Sequence, residues 1–351
     1  MPSQVTEKEV KKVLVVGSGN FGSCLADHLA DISNDVFIHA RSEAVVKSFN
    51  ELHRNPKYLT DHIFPDNLTA IGPTMPDVDF LSTCDVIVFA VPTQSMREVL
   101  KSLSLELVKP LPMLVFVNKG IETGTNKLPL EVIAEACGQE VADVSCFLSG
   151  PSFAKEIVKR QPTQVSVAST SLKHARATAR LFHQPHFRCY VNTDPIGVEL
   201  AGALKNVYAI ASGVSAGLGY EANTRAGLVT RSLAEMTRIG VAYNADPLTF
   251  LSLAGVGDLF LTCSSEKSRN FTVGFRLGKG ETLGHIVETL GSVAEGIDTA
   301  KSAYAMIKER ELSAPILEHV YKLLWNGESA ADLARALMEL PMMEETEGLR
   351  E

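Results

Sequence analysis

From Lys12 to Val191 short β-branched runs alternate with helical patterns, and that alternation restricts the first half of the chain to a sheet built from parallel βαβ units. Strand-like runs cover residues 13–16, 36–39, 86–91, 114–117, 145–148, 164–168 and 187–191. Helical patterns at 21–30, 44–52, 95–103, 130–136 and 172–182 fall between them. From Ile196 onward the apolar period is helical, with Asp194 before Pro195 and Asp246 before Pro247 as start signals. The pattern predicts a mostly parallel α/β domain over residues 1–193 and an all-helical domain over 194–351.

The first connection is specific. Gly17, Ser18, Gly19, Asn20, Phe21 and Gly22 follow a strand and open a helix. In that setting Gly17 permits the tight turn, Gly19 lets the backbone approach a pyrophosphate, and Gly22 lets helix and strand pack. Isolated glycines are only turn formers, but strand, triplet and helix together predict a Rossmann-type dinucleotide site. A carboxylate at the end of the second strand would favour NAD by bonding the ribose hydroxyls. Arg41 stands there, followed by Ser42, while Asp35 lies at the strand's beginning, so NAD and NADP both stay open.

Composition limits the partners. A net charge of -8 in a chain that is 45% hydrophobic and 21% charged argues against a nucleic-acid or anionic-membrane surface. An anionic substrate must therefore meet a local basic cluster. The six cysteines are scattered without metal or redox spacing, and the nine histidines show no paired helical spacing, so no metal site is expected. No secretory or transit signal is legible in the first twelve residues, and a cytoplasmic location is the expectation. The acidic tail from Met342 reads as solvated.

Lys205 is the residue whose setting most demands explanation. It sits with Asn206 in the apolar run 198–218, where an ammonium is costly unless paired or used as an acid or base. Snorkelling, or pairing with Glu199, is the plain alternative. The many Gly and Ala residues of the run suit close helix packing, against a homodimer partner or within one subunit. Lys119 follows the strand at 114–117, at the sheet edge where α/β proteins bind ligands. Gly150, Ser152 and Ala154 follow another strand and open a helix with free backbone donors. Asp258 stands between a glycine turn and an apolar run, either buried and paired or capping a helix. Ser268, Arg269 and Asn270 start a helix and combine donors suited to a phosphate monoester.

Taken together, the stretches 17–22, 118–120, 150–156, 198–210, 255–263, 268–270 and 293–296 resemble the NAD(P)-dependent glycerol-3-phosphate dehydrogenases over nearly the whole chain. The Gly-Pro-Ser-Phe-Ala form at 150–154 is similar to the bacterial and protist branch. The resemblance implies that Lys205 is the catalytic acid/base with Lys119 and Asp258 beside it. It implies that Arg269 and Asn270 grip the substrate phosphate, with Lys119, Gly150, Ser152 and Ser268 completing the pocket. It also implies that Asn20, Phe21, Arg41, Lys119, Ala154, Val293, Glu295 and Arg269 touch the cofactor. Two readings compete: another two-domain dehydrogenase of the β-hydroxyacid or 6-phosphogluconate type, and a nucleotide-sensing protein that has lost catalysis. The phosphate-directed cluster at 268–270 and the turn at 255–258 favour a glycerol-3-phosphate dehydrogenase over the other dehydrogenase types, and retention of Lys205, Lys119 and Asp258 counts against a sensor.

Overall fold

The computed structural model describes residues 12–33 and 35–339; the acidic tail lies outside the described residues. Strands β1 (Lys12–Val16), β2 (Asp35–His39), β3 (Leu68–Ile71), β4 (Val86–Phe89), β5 (Met113–Phe116), β6 (Ser145–Ser149), β7 (Thr163–Ala168) and β8 (Phe187–Asn192) form one sheet in the order β3-β2-β1-β4-β5-β6-β7-β8. Helices α1 (Asn20–Leu29), α2 (Glu43–Leu52), α3 (Val78–Ser82), α4 (Thr93–Leu103), α5 (Pro129–Cys137), α6 (Gln139–Val144), α7 (Ala154–Ile157) and α8 (Leu172–Phe182) belong to this half.

The near-continuous apolar strands follow from burial on both faces. In β1, Val13 and Val15 pack with Cys24 and Leu25 of α1, while Leu14 and Val16 pack with Met96 and Leu100 of α4. From β1 the chain moves outward through β2 and β3, then returns to place β4 on the other side of β1. That reversal opens a crevice at the carboxyl ends of β1 and β4, the usual ligand position in such sheets.

Two features depart from the sequence reading. β3 was not expected; it is a four-residue edge strand close to Pro65 and ending before Gly72–Pro73, too short to show a period. β7 runs antiparallel to β6, and β8 parallel to β7. The β6–β7 connection carries only the one-turn helix α7, so it does not return the chain to the start of the sheet.

The second half is helical: α9 (Pro195–Gly217), α10 (Ala222–Ala242), α11 (Asp258–Ser264), α12 (Arg269–Gly278), α13 (Leu283–Thr289), α14 (Glu295–Glu309), α15 (Pro315–Trp325) and α16 (Ala330–Met338). Asp194 and Asp246 act as the expected caps, accepting from the amides of Gly197 and Leu248. α9 is buried along almost its whole length and forms the axis of this half. Its small residues are covered within the subunit by α12: a Cβ on Gly213 would sit 2.0 Å from the Phe271 oxygen, and one on Gly274 would sit 1.9 Å from that of Ile210. This backbone-to-backbone seam accounts for the small-residue pattern without a partner chain. Among the described residues no helix is long and apolar enough to cross a membrane, and all six cysteines are free thiols.

Candidate active site

One carboxylate joins the two halves of the molecule. Asp258 is the first residue of α11 and follows a wide π-type turn over Leu253–Gly257, kinked at Gly255 (φ -86°, ψ -106°). Its Oδ1 lies 2.7 Å from Lys205 Nζ of α9, and its Oδ2 lies 2.8 Å from Lys119 Nζ, which follows β5. Asp258 is 2% exposed and Lys205 6% exposed, so neither charge is screened by bulk water. Thr262, one turn further along α11, accepts from Lys205 Nζ at 2.8 Å and donates to the Asp258 carbonyl at 2.6 Å. Lys119 also donates to the Gly150 carbonyl at 3.1 Å.

Glu199 is not the partner of Lys205; its Oε1 accepts from the Leu130 amide at 2.8 Å. Nor is Asp258 a helix cap, since both carboxylate oxygens are bound to lysines.

Burial lowers the proton affinity of Lys205 to a pKa of about 8; Lys119 adds to the effect and Asp258 opposes it. For Asp258, burial would favour the neutral acid, but Lys119 and Lys205 outweigh it and hold the carboxyl below its ordinary range. One anion thus serves two cations. When Lys205 gives up its proton the cluster becomes neutral, a cheap change for a buried site.

A network of amides fixes this cluster in place. Asn206 Nδ2 donates to the Lys119 carbonyl at 2.9 Å, and its Oδ1 accepts from Asn270 Nδ2 at 2.9 Å. Asn270 Oδ1 in turn accepts from the Gly296 amide at 3.0 Å. Both ends of the Asn270 amide are therefore engaged inside the protein, leaving one Nδ2 hydrogen for any ligand. Ser268 caps α12 by accepting from the Phe271 amide at 3.2 Å, and its hydroxyl hydrogen remains available. Arg269, the next residue, is exposed at the same helix start. Ser152 donates to the Gly150 carbonyl at 2.8 Å.

The glycine loop has the shape a dinucleotide needs. Gly17 has φ +113°, where a side chain would also meet the Ala90 carbonyl. A Cβ on Gly22 would sit 1.9 Å from the Gly17 oxygen, whereas one on Gly19 would meet nothing within 4 Å. The open approach is thus at Gly19, where α1 begins without a side-chain cap and its first amides face the crevice. Phe21 lies in that first turn, with Lys119 Nζ 5.8 Å from its ring centre. Nearby, the buried Oδ1 of Asn118 has no protein partner and is a ready acceptor for a ligand N–H. These groups fit a pyridine dinucleotide.

The remaining expected cofactor residues are spread over both halves of the molecule. Glu295 starts α14 and accepts from the Thr93 amide at 3.1 Å, bringing the helical half against α4 of the sheet half; burial pushes its carboxyl up to about 7. Val293 is exposed just before it, and Ala154 is the first residue of α7. Arg41 is exposed just beyond the end of β2. Asn118 and Thr262 fall within the stretches 118–120 and 255–263 that the sequence singles out, but no individual role is assigned to them there, because neither residue type in those places specifies its partner. Asn206 was noticed only as a neighbour of Lys205.

Comparison with known proteins bears on this geometry. Two family models match, described as the NAD-dependent glycerol-3-phosphate dehydrogenase N-terminus over residues 12–175 and C-terminus over residues 194–335. A protein from Limosilactobacillus reuteri (strain DSM 20016), named glycerol-3-phosphate dehydrogenase (NAD(P)+), is 39% identical over 339 residues, covering 96% of this chain and 99% of that protein. One of the same name from Geobacillus kaustophilus (strain HTA426) is 41% identical over 341 residues, covering 97% and 98%. The crystal structure of glycerol-3-phosphate dehydrogenase from Coxiella burnetii superposes with a TM-score of 0.88 at 30% identity, covering 95% of this chain and all of that one.

Proposed function

This chain belongs to the NAD-dependent glycerol-3-phosphate dehydrogenase family, and we propose that in its reaction Lys205 holds and moves the proton of the reacting oxygen. The enzyme is an NAD(P)-dependent oxidoreductase that interconverts sn-glycerol 3-phosphate and dihydroxyacetone phosphate. The bound nicotinamide supplies the chemistry of hydride acceptance and donation. What the protein must add is a proton acceptor for the alcohol, or a donor to the carbonyl, in a place that excludes water.

The observation that carries this reading is a buried ammonium sharing one carboxylate with a second ammonium. Asp258 keeps Lys205 charged enough to donate, and Lys119 with burial makes that proton easy to lose. Lys119 also presents a positive charge to the reacting oxygen and orients the cluster through Gly150. Arg269, the Ser268 hydroxyl, Asn270 and the first amides of α12 hold the phosphate, which is inert in the reaction and serves as an anchor. Ser152 and Gly150 complete the pocket. The backbone of Gly17 to Phe21, with Asn118, Ala154, Val293 and Glu295, holds the dinucleotide, while Arg41 faces its adenosine end and is compatible with NAD or NADP.

A cytoplasmic setting accords with six unpaired thiols. A homodimer is part of the same reading, supported by exposed Leu248, Leu251 and Phe260 and checked by mass in solution.

Replacing Lys205 by Met keeps the stem and removes the proton carrier, leaving Asp258 paired with Lys119. Turnover should fall on the order of 10²- to 10⁴-fold while NADH binding measured by titration stays within about twofold. Near-normal kcat would assign the proton to another group.

A further inference from the structure

Asn55 lies far from the lysine cluster in sequence, in the connection between α2 and β3, and is fully buried. All of its side-chain hydrogen-bonding capacity is in use. Nδ2 donates to the Ser18 carbonyl at 2.9 Å and to Ser23 Oγ at 3.0 Å. Oδ1 accepts from the amides of Lys57 and Tyr58, each at 3.0 Å. Ser23 Oγ donates to the same Ser18 carbonyl at 3.3 Å, so one oxygen in the middle of the glycine loop is held by two side chains.

The consequence follows from peptide geometry. In a planar trans peptide the carbonyl and the following N–H point in opposite directions. Pinning the Ser18 oxygen toward Asn55 therefore turns the Gly19 N–H the other way, and Gly19 is where the loop has open space for an approaching group. Gly19, on one side of this peptide, has no side chain to limit its rotation. Without a clamp, its orientation would have to be chosen at each binding event, and that ordering would weaken affinity.

The segment that carries the clamp is itself rigidly seated. Phe64 is buried with its ring centre 4.8 Å from that of Phe49, and His62 is 2.7 Å from the buried Asp27 of α1. Asp27 also pairs with Arg160, beyond α7. Loop 53–66 is thus anchored in the sheet half and holds the glycine loop from outside.

We propose that Asn55 is a positioning residue for the cofactor: it pre-sets the Ser18–Gly19 peptide so that the loop meets the dinucleotide phosphates already oriented. The proposal rests on the dinucleotide reading of the glycine loop. Asn55 touches neither substrate nor the Lys205 cluster, so its effect belongs in cofactor affinity rather than in the proton step.

The test compares the full-length enzyme with Asn55→Ala, Asn55→Asp and Ser23→Ala. NADH and NADPH dissociation constants are measured by calorimetric titration, alongside KM, kcat at saturating cofactor and thermal melting. Asn55→Asp keeps oxygens for the Lys57 and Tyr58 amides and loses the donor to Ser18; its buried charge is not screened by salt, so Asn55→Ala, which adds no charge, is the control for it. Both Asn55 variants should raise Kd and KM for the better-bound cofactor at least fivefold, with kcat within about threefold of wild type. Ser23→Ala, which removes one hydroxyl, should raise Kd at least twofold and covers the case in which the Asn55 variants do not fold. A folded Asn55 variant with a smaller rise in Kd, a larger loss in kcat, or, where neither folds, an unchanged Ser23→Ala overturns the proposal. Failure of the wild type to bind either dinucleotide would instead overturn the reading of the loop.

Discussion

Replacing Asp258 by Asn should separate the charge of the lysine cluster from its shape. In the wild type the carboxylate lies 2.7 Å from one ammonium and 2.8 Å from the other. With about 4 Å between charge centres and an effective dielectric of about 20, each pair is worth about 4 kcal/mol, or about three pH units of proton affinity. Taking Lys205 from its value of about 8, the variant lysine should titrate near roughly 5. Reduction of dihydroxyacetone phosphate needs the ammonium form. At pH 7 the protonated fraction drops from about 90% to about 1%, so reduction should slow on the order of 100-fold. Near pH 5 about half of the variant lysine is protonated, and the deficit should shrink to about twofold. The assay is the initial rate of NADH oxidation from pH 5 to pH 8, with melting curves and NADH titration as controls. Breaking a buried pair costs about 3–5 kcal/mol when the remaining charge persists, so rates are compared only where the variant is folded. A folded variant that loses rate equally at every pH would refute the claim that Asp258 sets the proton affinity of Lys205.

Two further outcomes test other parts of the molecule. Arg269→Ala should raise KM for dihydroxyacetone phosphate about ten- to hundredfold, the worth of one or two charged hydrogen bonds, and leave KM for unphosphorylated dihydroxyacetone nearly unchanged. Equal effects on both substrates in steady-state kinetics would exclude a phosphate clamp. Gly274→Ala places a methyl 1.9 Å from the Ile210 carbonyl and should cost about 1–3 kcal/mol in denaturant unfolding, through separation of α12 from α9. Wild-type stability there would show that the seam is looser than its geometry.

Much of the architecture was legible because it follows from local rules. The glycine loop announced itself by its place between a strand and a helix, and Lys205 by being a charge among apolar residues. Asp258 was visible through the glycine turn before it, although the choice between a cap and a buried ion pair needed the fold. β3 was hidden because an edge strand of four residues has no room for a pattern. The links among Lys119, Asn206, Asn270 and Gly296 were hidden for another reason: their partners lie 26 to 87 residues apart, and nothing local marks an amide as internal rather than solvated. Asn55 is the extreme case, a polar residue in a polar loop whose burial is decided entirely by what folds over it.

The shared carboxylate also limits how such an enzyme can be taken apart. Lys119 comes from the sheet, while Lys205 and Asp258 come from the helices, so neither half carries a complete proton site. A chimera that joined the sheet of one relative to the helices of another would keep both cores intact. Its proton chemistry would still depend on bringing one ammonium to within hydrogen-bonding reach of an aspartate donated by a different ancestor. Modularity in this molecule is a property of its folding and not of its catalysis.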